Sequence, residues 1–245
     1  MQEQHKTVSF WPRLKELVKG RLFTVTIAVF AFVSAASIAY DVTALGPLYA
    51  ISGLPAVLEV VFLLMFRSAC LAEDEPSRTS GLTAVYVTQI VVGALTTVAL
   101  AAAGIVLAAM SEESFAELLQ EISLNKVLNL SEYLNSMQSY VSAADFKIYV
   151  AVVIFGTAAL SALYYALTAI GTKRVRDAVR DGVSRKPVPA GLITILALIA
   201  VVQVISVFGA SSFLVAIVSA LEATKAGLFA FCGYKFNTEF PAVPI

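Results

Sequence analysis

The chain alternates between long uncharged apolar runs and polar stretches that carry nearly all of its charge. Four runs stand out, at residues 22–40, 82–110, 148–170 and 187–221, and the last contains no charged residue. A weaker run at 48–66 is interrupted by Gly53, Pro55 and Glu59. A helix needs about 20 apolar residues to cross roughly 30 Å of hydrocarbon at about 1.5 Å per residue. Lipid offers the backbone no hydrogen-bond partners, so such runs are helices, and the missing two-residue alternation argues against a β-barrel. The expected fold is all-α, a polytopic α-helical transmembrane bundle. It forms a single domain over residues 1–245, with about five spans at 22–40, 48–66, 82–110, 148–170 and 190–211.

The polar stretches have helical periodicity of their own. Phe10, Leu14, Leu17 and Val18 recur on one side, with Arg13, Lys15 and Lys19 between them. Residues 1–21 therefore predict a basic amphipathic helix on the inner leaflet, with Trp11 at headgroup depth. Within 111–147, Phe115, Leu118, Leu119 and Ile122, then Leu130, Tyr133, Leu134 and Met137, predict two short amphipathic helices on the outer face. In 171–189, Val175, Ala178, Val179 and Gly182 line one side of a basic segment that Pro187 and Pro189 end. Residues 212–245 read as an interfacial or re-entrant segment. A sixth span near 212–232 is the alternative, and it places Glu222 and Lys225, three residues apart on one helix face, near mid-membrane.

Composition sharpens the class. Hydrophobic residues make up 59% and charged residues 14%, against about 25% charged in an ordinary soluble domain. With a mean hydropathy of +0.84, the chain has too few charges to coat a soluble globule. Lys+Arg and Asp+Glu are 17 each, so the basic excess of a nucleic-acid binder is absent.

Where the charges lie sets the expected topology. Lys6, Arg13, Lys15, Lys19 and Arg21 precede the first span; Lys173, Arg174, Arg176, Arg180, Arg185 and Lys186 follow the fourth. Between them, residues 111–145 carry Glu112, Glu113, Glu117, Glu121, Glu132 and Asp145 against a single Lys126. Lys and Arg in short loops stay on the cytoplasmic side. The N-terminus and 171–189 are thus expected inside and 111–147 outside, which requires 48–66 to cross. The expected location is a bacterial plasma (inner) membrane. Ser37-Ile38-Ala39 resembles a signal-peptide cleavage site, but the long lead and the later spans favour a retained signal anchor.

Candidate chemistry is sparse. Glu59 is the leading intramembrane candidate, as a proton or cation site. The competing reading places it one turn beyond Pro55, near the outer interface and a positive helix end. A Glu59–Lys225 pair is a further possibility. Gln89 and Gln203 either line a polar path or bond between helices. Lys173, Arg174, Arg176, Arg180, Arg185 and Lys186 are candidate contacts for anionic lipid headgroups, or simply the topology signal. Small residues at spacing four (Ala31, Ala35, Ala39; Gly93, Thr97, Ala101; Ala158, Ala162, Ala166) predict close helix packing. Tyr164 and Tyr165 fit an interfacial aromatic belt.

A faint echo pairs Ser80-Gly81-Leu82 with Ala190-Gly191-Leu192, each opening a span after a charged loop. One histidine, His5, and two cysteines, Cys70 and Cys232, build no metal or disulfide framework, and a five-span topology puts the cysteines on opposite sides. No catalytic motif occurs. No enzyme activity, cofactor or metal is expected. The expected partners are membrane lipid and either another membrane protein or a second copy, with no nucleic acid. Two function classes remain: a non-enzymatic scaffold or accessory subunit of a membrane complex, and a small-molecule or ion transporter or channel acting as an oligomer.

Overall fold

The computed structural model describes residues 10–45, 53–124, 143–181, 186–210 and 213–240. Among these, every regular element is a helix: α1 (Phe10–Lys19), α2 (Arg21–Leu45), α3 (Leu54–Leu71), α4 (Glu75–Ala109), α5 (Glu112–Leu124), α6 (Ala143–Asp181), α7 (Ala190–Phe208) and α8 (Phe213–Glu239). Six of them, α2, α3, α4, α6, α7 and α8, are long and apolar enough to cross a membrane. Large apolar side chains stand outward along them, among them Leu95 and Val98 on α4 and Val202 and Ile205 on α7. In water such rows would drive aggregation; in hydrocarbon they are solvated. The protein is an α-helical transmembrane bundle.

The chain divides into two compact units. The first comprises α1, most of α2, α3, the first part of α4, the end of α6, α7 and α8. Its core gathers Phe23 from the start of α2, Cys70 from the end of α3, Leu82 from the first turns of α4, Val175 from the last turns of α6 and Phe236 from the last turns of α8. Successive long helices therefore run in alternating directions through one shared end. The second unit joins residues 91–165 to the end of α2. There Phe115 of α5 is buried with Leu107 and Ala151, and Lys147 Nζ donates to the Met110 carbonyl at 2.8 Å, capping the end of α4. The predicted amphipathic helix at Phe115 is thus α5, with that phenylalanine as its anchor. Its predicted companion around Leu130–Met137 lies outside the described residues.

Several expectations change at the first unit's shared end. The apolar face of α1 does not lie free for a leaflet. Phe10, Leu14 and Val18 are buried in the protein core. The Phe10 ring meets that of Phe240 at 4.5 Å, and Arg13 binds Glu239 at 2.8 Å. The segment expected to be interfacial or re-entrant, 212–245, contains one continuous 27-residue helix, α8. Because α1 packs against the last turn of α8, the two lie at the same end of the unit. Six helices are long and apolar enough to cross a membrane, one more than the five spans expected. Cys70 and Cys232 share one buried cluster instead of facing opposite sides.

Helix boundaries follow local chemistry. The second span starts at Leu54, with Pro55 in its first turn as expected, and runs on to Leu71. Asp74 accepts the Ser77 amide at 2.8 Å and caps α4. The Ser77 hydroxyl and amide together hold the Asp74 carboxyl below its ordinary value. The first half of the basic segment 171–189 is a helical extension of the fourth span, because Val175 and Ala178 continue the buried face. At 39 residues α6 is roughly 58 Å long, well beyond the bilayer core. Asn237 ties the start of α7 to the end of α8: its Oδ1 accepts the Val188 amide at 3.0 Å and its Nδ2 donates to the Val188 carbonyl at 2.8 Å. Asn237→Ala should cost about 1–3 kcal/mol, since it leaves both backbone groups unpaired. A denaturation curve in detergent measures this.

The small-residue rows differ in their fate. Gly93 lets α6 approach closely, since a Cβ there would meet the Tyr165 side chain at 2.5 Å. Tyr165 is therefore a buried packing residue, edge-on to Tyr164 at 5.5 Å, rather than part of an interfacial belt. The Ala31, Ala35 and Ala39 row is exposed. The echoed glycines also differ. Gly81 sits inside α4, close against Ala69, whereas Gly191 opens α7 with only ordinary contacts.

Candidate functional site

Two helices of the first unit bring ionisable groups together, and a third lines them with a hydroxyl and a ring. Lys225 is near the middle of α8, roughly 18 Å from one end and 21 Å from the other. Its ammonium lies 2.7 Å from Glu222 Oε2, one helical step away, and 3.5 Å from Glu59 Oε2 on α3. From α2, Ser37 Oγ donates to Glu222 Oε1 at 3.4 Å. The Phe30 ring stands 5.5 Å from the ammonium. The three charged side chains are 15% to 25% exposed. Two carboxylates therefore share one ammonium, and the fully ionised cluster carries one net negative charge.

Each position has a local cause. Glu222 and Lys225 are three apart on a helix, which places them on one face. Glu59 stands one turn inside α3, as the sequence predicts, and it meets a lysine from the middle of another helix. Of the readings open for Glu59, the pair with Lys225 is the one this geometry realises, and Glu222 enlarges it to a triad.

The other polar candidates lie elsewhere. Gln89 on α4 is buried, and its Oε1 accepts the Thr172 hydroxyl of α6 at 2.9 Å. This is an interhelical bond of the structural kind, and it does not join Glu59. Gln203 is half-buried on α7. Of the basic candidates, Lys173, Arg174 and Lys186 are exposed. Arg176 and Arg180 are each paired with the next residue, Asp177 at 2.7 Å and Asp181 at 2.8 Å. Arg185 lies outside the described residues. Among the described residues no group of three or more His, Cys, Asp and Glu side chains is arranged to hold a metal ion.

Two features escape the sequence. Asn237 is one of several polar residues in the last turns of α8, with nothing to indicate its partner 49 positions away. Arg78 is only 9% exposed. It donates to the carbonyls of Ala72 and Glu73 at 3.2 and 2.7 Å while its guanidinium stacks 3.9 Å from the Trp11 ring centroid. Trp11 is thereby held in protein contact. No family model, no curated protein and no solved structure matches this chain.

Proposed function

We propose that the protein is a non-enzymatic membrane transporter of a small ion or an ion-coupled solute, with Glu59, Lys225 and Glu222 as its charge-exchange site. The observation that carries this reading is the triad itself. Stability alone does not call for such a cluster, because replacing a buried ion pair by apolar side chains is often neutral or stabilising. Charges at membrane depth mark ion and proton pathways by default. Two carboxylates around one shared lysine give the cluster two states of neighbouring charge, with and without an added cation or proton.

In this reading the membrane is a bacterial plasma membrane and the N-terminus is cytoplasmic. Support comes from the clustering of Lys15, Lys19, Arg67, Arg78, Lys173 and Arg174 on segments that meet at one end of the first unit, where the positive-inside rule places the cytoplasm. The test uses purified protein in liposomes holding a trapped pH-sensitive dye. The intact protein should collapse an imposed pH gradient at least about tenfold faster than empty vesicles, and Glu59→Gln should return the rate to the empty-vesicle value. Glu59→Gln leaves a neutral Lys225–Glu222 pair, so the fold is retained. Equal rates for the two proteins would refute the assignment.

The second reading is a scaffold or accessory subunit. It is favoured by the continuous outward apolar rows of α4 and α7, which fit a partner's transmembrane helix as well as lipid. Under it, Glu59→Gln leaves co-purification from native membrane unchanged.

A further inference from the structure

Helix α1 is joined to α2 through one non-helical residue, Gly20. The Gly20 amide donates to the Leu17 carbonyl at 3.1 Å, closing α1 before the chain turns. The apolar face of α1 covers the core cluster at the end of the unit where α2, α3 and α8 meet. These are the same three helices that supply Ser37, Glu59, Glu222 and Lys225.

Few polar contacts hold α1 in place. Its ion pair, Arg13–Glu239, has side chains 43% and 33% exposed, a setting in which such pairs contribute little. Arg78 stacks on Trp11, and Phe10 on Phe240. The same face also has a second place to rest. A helix with Phe10, Leu14 and Val18 on one side and Arg13, Lys15 and Lys19 beside them suits the surface of an anionic leaflet. One apolar face with two competing surfaces, hinged at a glycine, is a two-state element.

We propose that α1 is a displaceable strap: docked, it seals the basic end of the α2–α3–α8 group; undocked, it lies on anionic lipid and lets solvent reach the cluster beneath. Coupling to the triad, through Phe30 of the covered cluster, whose ring stands 5.5 Å from the Lys225 ammonium, is the one consequence that rests on the transport reading.

Cys70 and Cys232, buried in the covered cluster, are native reporters. The full chain in phosphatidylcholine vesicles is reacted with N-ethylmaleimide, and modification of each cysteine is followed by mass. Arg13→Glu should accelerate labelling about two- to fivefold, the range set by an exposed ion pair. Arg13→Glu combined with Glu239→Arg should restore the original rate. Adding phosphatidylglycerol to the vesicles should accelerate labelling of the unmodified chain. Rates unaffected by the charge reversal and by the anionic lipid would overturn the strap. An acceleration that the double exchange fails to reverse would overturn the Arg13–Glu239 clasp. A chain that shows the expected labelling but collapses no pH gradient removes the transport reading and leaves the strap standing.

Discussion

Lys225→Met is expected to lower the unfolding free energy by about 3 kcal/mol. The substitution removes the ammonium that Glu59 and Glu222 share, and removing one partner of a buried ionic group typically costs about 3–5 kcal/mol. The partial exposure of both carboxylates, 22% and 25%, places the effect at the low end. Lys225→Met combined with Glu59→Gln and Glu222→Gln removes every charge and should return stability to within about 1 kcal/mol of the original. Chemical denaturation in detergent micelles measures all three proteins. A single variant as stable as the parent would show that the triad is not an interacting unit.

Leu14→Ala carries the second large effect. Leu14 has no exposed surface, and truncating a buried leucine costs about 2–5 kcal/mol. With only Gly20 between α1 and α2, the loss falls on the docking of α1 and not on the six long helices. A penalty of about 3 kcal/mol shifts the docked-to-undocked ratio roughly a hundredfold. Trypsin should then cut after Lys15 and Lys19 far faster than in the parent, while the membrane-spanning helices resist. An unchanged cleavage rate would mean that Leu14 does not secure the docked helix.

These two residues also show how far the sequence reads. Leu14 is visible as part of a periodic face, so the existence of α1 is legible. What that face covers is not. A basic amphipathic helix satisfies its apolar side equally well on lipid or on protein, and the core residues brought up from distant helices, among them Cys70 and Phe236, resolve the choice. Lys225 and Glu222 announce their pairing by spacing. Glu59 does not announce its own, because the charge that meets it lies 166 positions further on.

By itself the sequence determined the material of the fold: uncharged runs too long for anything but membrane helices, capped and interrupted where charge and proline return. Those features are local, and the cost of placing backbone and charge in hydrocarbon enforces them residue by residue. The shared end of α1 and α8, the common burial of Cys70 and Cys232, and the assembly of the triad were decided by tertiary structure alone. Each depends on which distant apolar faces fit together, and in so greasy a chain many pairings satisfy the hydrophobic pattern equally. Close packing at Gly81 and Gly93 and the Asn237 tether select one of them.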